Sequence, residues 1–135
     1  MNIKIKQIEA QETYSLRNKV MWPDKPLEFI KLEKDKEGLH FGLLKNSEII
    51  SVVSLFIEGT NAQFRKLATK TSEQCHGYGT LLLQHVINYV VNEKGIDNLW
   101  CNARVDKTAF YKRFGMTETD KRFTKAGVNY VIMKK

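Results

Sequence analysis

At 135 residues, 42% hydrophobic and 27% charged, the chain is bounded to one globular domain, 1–135, with no room for a second catalytic unit. The net charge of +7 comes from 22 basic and 15 acidic residues that alternate along most segments, with no basic stripe interleaved with aromatics, which argues against nucleic acid as the partner. No apolar run reaches membrane-spanning length and no signal peptide opens the sequence; two cysteines without a CxxC or paired His suggest neither a disulfide framework nor a metal, so a metal-free, cytoplasmic protein off the membrane is expected.

Ile3-Lys4-Ile5-Lys6-Gln7-Ile8 alternates as an opening strand. A helix is predicted over residues 10–21, with Leu16 and Val20 four apart on one face. Trp22-Pro23-Asp24-Lys25-Pro26 holds both prolines of the chain, so a loop or irregular helix follows to Gly38. Residues 39–44 and 49–57 read as a β-hairpin around Lys45-Asn46-Ser47-Glu48. The segment 62–69 reads as a further strand anchored by Phe64 and Leu67, although its alternation is imperfect.

Gln74-Cys75-His76-Gly77-Tyr78-Gly79 then leads into a helix whose Leu82, Leu83, Val86, Ile87, Val90 and Val91 form one broad core-facing stripe, with His85 off it. Two glycines before a helix permit a tight turn and close approach of a ligand to unpaired N–H groups, so an anion such as a pyrophosphate fits there, though such glycines also serve as simple turns. Leu82 breaks the dinucleotide fingerprint, and no Gly-Lys-Ser/Thr run makes a Walker loop. Residues 98–103 read as a strand, and Asp106 as the N-cap of a short helix carrying Ala109-Phe110-Tyr111 and ending at Gly115. Strands over 116–122 and 128–134 close the chain.

Strand, glycine loop, helix and strand make a parallel crossover of the usual length. In that setting Gln74-x-x-Gly77-x-Gly79 resembles the acyl-CoA pyrophosphate loop of GCN5-related N-acetyltransferases (GNAT), and Ala109-Phe110-Tyr111-Lys112-Arg113-Phe114-Gly115-Met116 resembles their second motif. Three further segments, 16–23, 64–69 and 99–104, are similar to the glyphosate N-acetyltransferase-like branch. The resemblance implies an α/β (α+β) fold: a mixed sheet of six to seven strands flanked by helices and splayed in the middle for acyl-CoA. It implies acetyl-CoA as cosubstrate, a small amine as acceptor, and a monomer or homodimer.

The resemblance also distributes roles. Leu67, Ala68 and Thr69 run beside the pantetheine arm, Gln74, Cys75, His76, Gly77, Tyr78, Gly79 and Thr80 cradle the pyrophosphate, and Asn102 lies on the same donor side. Tyr111 matches the tyrosine that protonates the departing thiolate. Arg65 and Arg104 match arginines that meet anionic groups of the acceptor, where a guanidinium fork suits carboxylate, phosphonate or phosphate. Two positions depart: Trp22 stands where those relatives carry a third arginine, and Tyr130 where they carry a histidine base. A tyrosine is mostly neutral at pH 7, so Tyr130 is a base only if its pKa falls by several units. His40 and Glu73 are the other titratable side chains expected near the cleft.

Overall fold

The alternating and apolar runs assemble, in the computed structural model that describes residues 2–135, into a seven-stranded sheet in the order β1-β2-β3-β4-β5-β7-β6. The strands are β1 (Ile3–Ile8), β2 (Leu39–Lys45), β3 (Glu48–Glu58), β4 (Asn61–Thr69), β5 (Asn98–Arg104), β6 (Thr117–Lys125) and β7 (Val128–Lys134). All neighbours are antiparallel except β4 and β5, which the crossover helix makes parallel. Asn46 and Ser47, with φ of 50° and 71°, turn β2 into β3, and Ala126 and Gly127, with φ of 51° and 80°, turn β6 into β7. These are two-residue turns with both central φ values positive, the geometry that matches the twist of a hairpin.

Helices cover both faces. The first, α1 (residues 10–21), begins as a 3-10 turn and ends as a π turn over Arg17–Met21. It packs Leu16 against Ile8, Val52 and Ala68 on one face of the sheet. The segment 22–38 carries one short helix, α2 (Leu27–Ile30), and a 3-10 turn at Asp35–Glu37. On the opposite face lies α3 (residues 78–93), and its buried Leu82, Leu83, Val86, Ile87 and Val90 join Phe41, Leu55, Phe64 and Leu99 in the main core. The predicted stripe errs at Val91, which is 45% exposed. The last turn of α3 is a π turn, Tyr89–Glu93, whose wider ring rotates Val91 out of line with the stripe.

The terminal helix α4 (Thr108–Lys112) also starts differently from expectation. Asp106 sits inside a 3-10 turn, Val105–Lys107, and makes no capping hydrogen bond; Lys107 holds the cap position. The helix stops at Lys112 with Arg113 as its C-cap, short of the expected Gly115, which closes the turn that follows at φ +86°. No helix among the described residues is long and apolar enough to cross a membrane.

Two irregularities of β4 build the site. Its pairing with β5 stops after Asn61↔Asn98, Ala62↔Leu99 and Gln63↔Trp100, so the strands diverge from Phe64 onward. Its pairing with β3 slips between Val52 and Ser54, where Lys66 and Leu67 occupy the space of one residue and Lys66 takes φ +59°. Phe64 and Ala68 would share a face in a regular strand. The bulge puts Phe64 in the α3 core and Ala68 in the α1 core, and it turns the chain between them toward the gap.

Candidate active site

The splay opens a cleft of about 1070 Å³ that runs from the glycine loop to Tyr130. Its lining includes Leu67, Ala68, Thr69, Gln74, Cys75, Gly77, Tyr78, Gly79, Thr80 and Asn102. His76, assigned to the same loop, is exposed and is not among the lining residues. Gly77 caps α3 with φ +82°, and Cys75 is also left-handed at φ +67°. The Gln74 side chain holds this loop by donating to the Thr69 carbonyl at 2.9 Å. A Cβ on Gly79 would lie 3.4 Å from Thr69 Oγ1, which Ser51 Oγ already fixes at 2.9 Å. The loop therefore brings bare backbone and the positive end of a helix to one side of the cleft, a cradle suited to a diphosphate.

Glycine at position 77 is required by conformation and not by space, because nothing lies within 4 Å of a Cβ there. Gly77→Ala is expected to cost about 1–2 kcal/mol, the left-handed penalty of an L-residue, and to weaken coenzyme A binding. Calorimetric titration with coenzyme A beside thermal unfolding checks both effects.

Arg113 and Lys107 add positive charge to the cleft wall, and sequence reading did not single out either. Arg113 donates to Thr80 Oγ1 at 3.0 Å and lies over the Phe110 ring, so a cation is held at the first turn of α3. Glu73 lines the cleft too, but both its carboxylate oxygens accept from Lys45 Nζ, at 3.0 and 3.1 Å.

Tyr111 of α4 lines the cleft, with its ring 5.7 Å from Phe64 and 5.2 Å from Phe110. Burial pushes its phenol well above the ordinary value; the neighbouring Cys101 adds to the shift and Arg104 opposes it. Burial likewise pushes the Cys101 thiol up to about 12. Cys101 follows the last β5 residue paired with β4, and Tyr111 packs on Phe64, where the two strands part.

The far end of the cleft is cationic. Arg65, Lys66 and Arg104 line it. Among the described residues no carboxylate lies within ion-pairing distance of these three or of Lys125. Burial lowers the pKa of Arg65, with the Arg17 charge adding to it. Burial and the charges of Lys125, Arg65, Arg17 and Arg104 bring Lys66 down to about 8. Lys66 was not singled out from sequence, yet its signal is there: consecutive charges at 65 and 66 break the strand alternation where the bulge occurs.

Arg104 is held in place, with Nη2 donating to the Met21 carbonyl at 3.1 Å and its guanidinium over the Trp22 ring. Trp22 itself is buried behind Arg104 and is not among the lining residues; its Nε1 has no hydrogen-bond partner among the described residues. Phe29 packs against Trp22 at 5.1 Å, and the Lys25 and Lys125 ammonium groups both lie over the Phe29 ring. Tyr130 stands opposite Arg104 across β5 and β7, lines the cleft, and stacks on Phe123 at 5.1 Å.

His40 lies outside the cleft, in a buried polar network behind it. Arg17 forms a two-point pair with Asp35 at 2.9 and 3.0 Å and also donates to Ser54 Oγ and the Ile30 carbonyl. With Ser54 Oγ accepting from Arg17, its hydrogen is directed to His40 Nδ1, and His40 Nε2–H then donates to the Asp35 carbonyl. Both ring nitrogens are thereby engaged away from the reacting centre.

The glycine cradle, the splayed parallel pair and the partly buried Tyr111 share one cleft. Residues 6–135 match the model of the acetyltransferase (GNAT) domain family, and the chain belongs to that family: it is an N-acetyltransferase. It is 27% identical to YitI of Bacillus subtilis (strain 168), described as an uncharacterized N-acetyltransferase, over 98% of this chain and 95% of that protein. Among solved structures, a Lactobacillus plantarum protein assigned as an N-acetyltransferase aligns with a TM-score of 0.88 at 21% identity, covering 100% of this chain and 98% of its own. A GNAT family acetyltransferase from Elizabethkingia anophelis with acetyl-CoA bound aligns at 0.76 and 20% identity, covering 98% and 97%. The mixed seven-stranded sheet is the fold of these acetyltransferases.

Proposed function

We propose that the protein transfers the acetyl group of acetyl-CoA to the amine of a small acceptor bearing a carboxylate, phosphonate or phosphate. The observation that carries this reading is the group of unpaired cations, Arg65, Lys66 and Arg104 with Lys125 nearby, at the end of the cleft away from the glycine cradle. Cations gathered in a partly dry cleft repel one another, and an anionic ligand relieves that repulsion. The likeness of segments 64–69 and 99–104 to the glyphosate-acetylating branch supports the same use of Arg65 and Arg104.

In this reading the loop from Gln74 to Thr80 holds the diphosphate through its backbone, while Leu67, Ala68 and Thr69 run along the pantetheine. The β4 edge beyond Gln63, released from β5, offers backbone groups to the thioester carbonyl. Arg65 and Arg104 orient the acceptor so that its amine nitrogen attacks the carbonyl carbon directly. Tyr111 then gives its proton to the sulfur as the C–S bond breaks. A phenol of raised pKa is a weak donor to a thiolate in water. Burial that raises the Cys101 thiol would disfavour a coenzyme A thiolate beside it too, which brings the transfer closer to balance.

A thiol-release screen with acetyl-CoA against amino acids, aminophosphonates, amino sugars and polyamines tests the reading. Anionic amines are expected to turn over fastest, and equal or better turnover of polyamines refutes the anionic acceptor. Coenzyme A binding without turnover of any amine favours a non-catalytic acyl-CoA-binding module. Arg65→Ala is expected to raise KM for an anionic amine about 10- to 100-fold, the worth of a charge-assisted contact, with KM for acetyl-CoA unchanged.

A further inference from the structure

We propose that Lys66 is an internal acetyl acceptor: with acetyl-CoA bound and no amine substrate present, the enzyme acetylates its own Lys66 side chain. The inference rests on the reading above for its donor, and it concerns a residue to which that reading gives only a charge.

Three observations converge on this lysine. It belongs to the β4 bulge, adjacent to Leu67, and the bulge turns it out of the sheet ladder with φ +59°. It lines the same cleft as Phe64, Cys101 and Tyr111, the cleft in which the reading above seats the thioester. No carboxylate among the described residues lies within ion-pairing distance of its Nζ. The charges that act on it are Arg65 on its own strand, Arg104 on β5, Lys125 on β6 and Arg17 on α1, all cations. Other titratable side chains of the cleft include Tyr111, Tyr130, Asp106, Lys107, Arg113 and Glu73, and Glu73 is bound to Lys45.

An amine must lose its proton before it attacks a carbonyl. Burial and four like charges bring this ammonium from 10.5 to about 8, so near neutral pH it carries roughly two orders of magnitude more free amine than an exposed lysine. The Nζ lone pair forms the N–C bond to the acetyl carbonyl, the C–S bond breaks, and coenzyme A leaves as the thiolate. The second Nζ proton passes to that thiolate, with Tyr111 as the relay. The products are N6-acetyllysine at position 66 and free coenzyme A thiol, with no oxidant or further reactant needed. Acetylation also removes one positive charge from the acceptor end, so the modified enzyme binds an anionic amine less well.

The experiment incubates the full chain with acetyl-CoA carrying an isotopic label in the acetyl group, without acceptor, and follows intact mass. Cleavage after Glu58 and Glu73 then isolates a peptide holding Lys66 and Lys70, whose fragments separate the two. The expected result is one label per chain at Lys66, at a rate per chain independent of protein concentration and rising to a plateau above pH 8. Lys66→Arg, which keeps the charge and offers no comparable nucleophile, is expected to lose that label. Lys66→Gln, which mimics the acetylated side chain, is expected to raise KM for an anionic amine several-fold with KM for acetyl-CoA unchanged. Label spread over exposed lysines such as Lys34 and Lys112 in proportion to exposure overturns the proposal. So does an absent label while coenzyme A still raises the melting temperature. If coenzyme A does not raise it, the donor-site reading fails first and this inference with it.

Discussion

Tyr111→Phe is expected to lower kcat about 100-fold or more, the contribution of a positioned general acid, while leaving KM for acetyl-CoA and the melting temperature nearly unchanged. The split follows from where the side chain sits. Its ring packs against Phe64 and Phe110, and phenylalanine preserves both contacts; only the hydroxyl proposed as the proton donor is lost. The raised phenol pKa has a further consequence, since Tyr111 remains protonated across the whole working range. No loss of rate on the alkaline side below pH 10 is therefore assignable to it, and an alkaline limb should survive in Tyr111→Phe. Steady-state kinetics with a thiol readout from pH 6 to 10 measure both. Unchanged kcat in a folded Tyr111→Phe variant removes the tyrosine from the chemistry.

Asp35→Ala carries the largest expected effect on stability. Arg17 is 0% exposed and the Asp35 side chain 6%, and removing the carboxylate leaves a guanidinium buried without its counter-charge. Breaking such a pair from one side costs about 3–5 kcal/mol. For a chain of this size that is a fall of about 10–20 °C in melting temperature. Burial alone would raise the Asp35 pKa; the Arg17 hydrogen bonds, the Leu32 N–H and the Arg17 charge outweigh it and hold the carboxyl below its ordinary 3.8. A depressed carboxylate stabilises the fold fully above the unfolded-state value, and its contribution is lost as pH falls through the folded-state value. Urea midpoints from pH 7 down to 2 should therefore decline more steeply in the native chain than in Asp35→Asn. The same network supports Arg65 from behind, since Ser54 is both the ladder partner of Arg65 and the acceptor of an Arg17 hydrogen bond.

The order of elements was legible because each rests on a local signal. Alternation marks β1, paired prolines mark the break after Trp22, and Gly77 and Gly115 punctuate α3 and α4 at positive φ. The glycine loop was legible for the same reason, being one contiguous loop joined to one helix. What escaped reading depends on contacts distant in sequence. The β4 bulge is defined by its register against β3, and only that register shows that Lys66 faces the cleft. The π turn that exposes Val91 and the loss of Asp106 as a cap are set by how the helices dock, which composition does not encode. Trp22 illustrates both sides. The resemblance implied a place for it at the acceptor, but it does not line the cleft, and its position behind Arg104, as a surface on which the guanidinium rests, needed the fold.

The short seam between β4 and β5 has a mechanical meaning. Four strands on one side and three on the other are joined in the sheet by three residue pairs, Asn61↔Asn98, Ala62↔Leu99 and Gln63↔Trp100. Outside the sheet the halves are bridged by α3 beneath them and, on the other side, by Arg104 resting on Met21 and Trp22 and Lys125 over Phe29. A molecule lying in the wedge between them touches both halves at once and acts as a keystone. Its binding energy then resists separation of the two half-sheets, so cohesion of the whole molecule becomes a function of donor concentration.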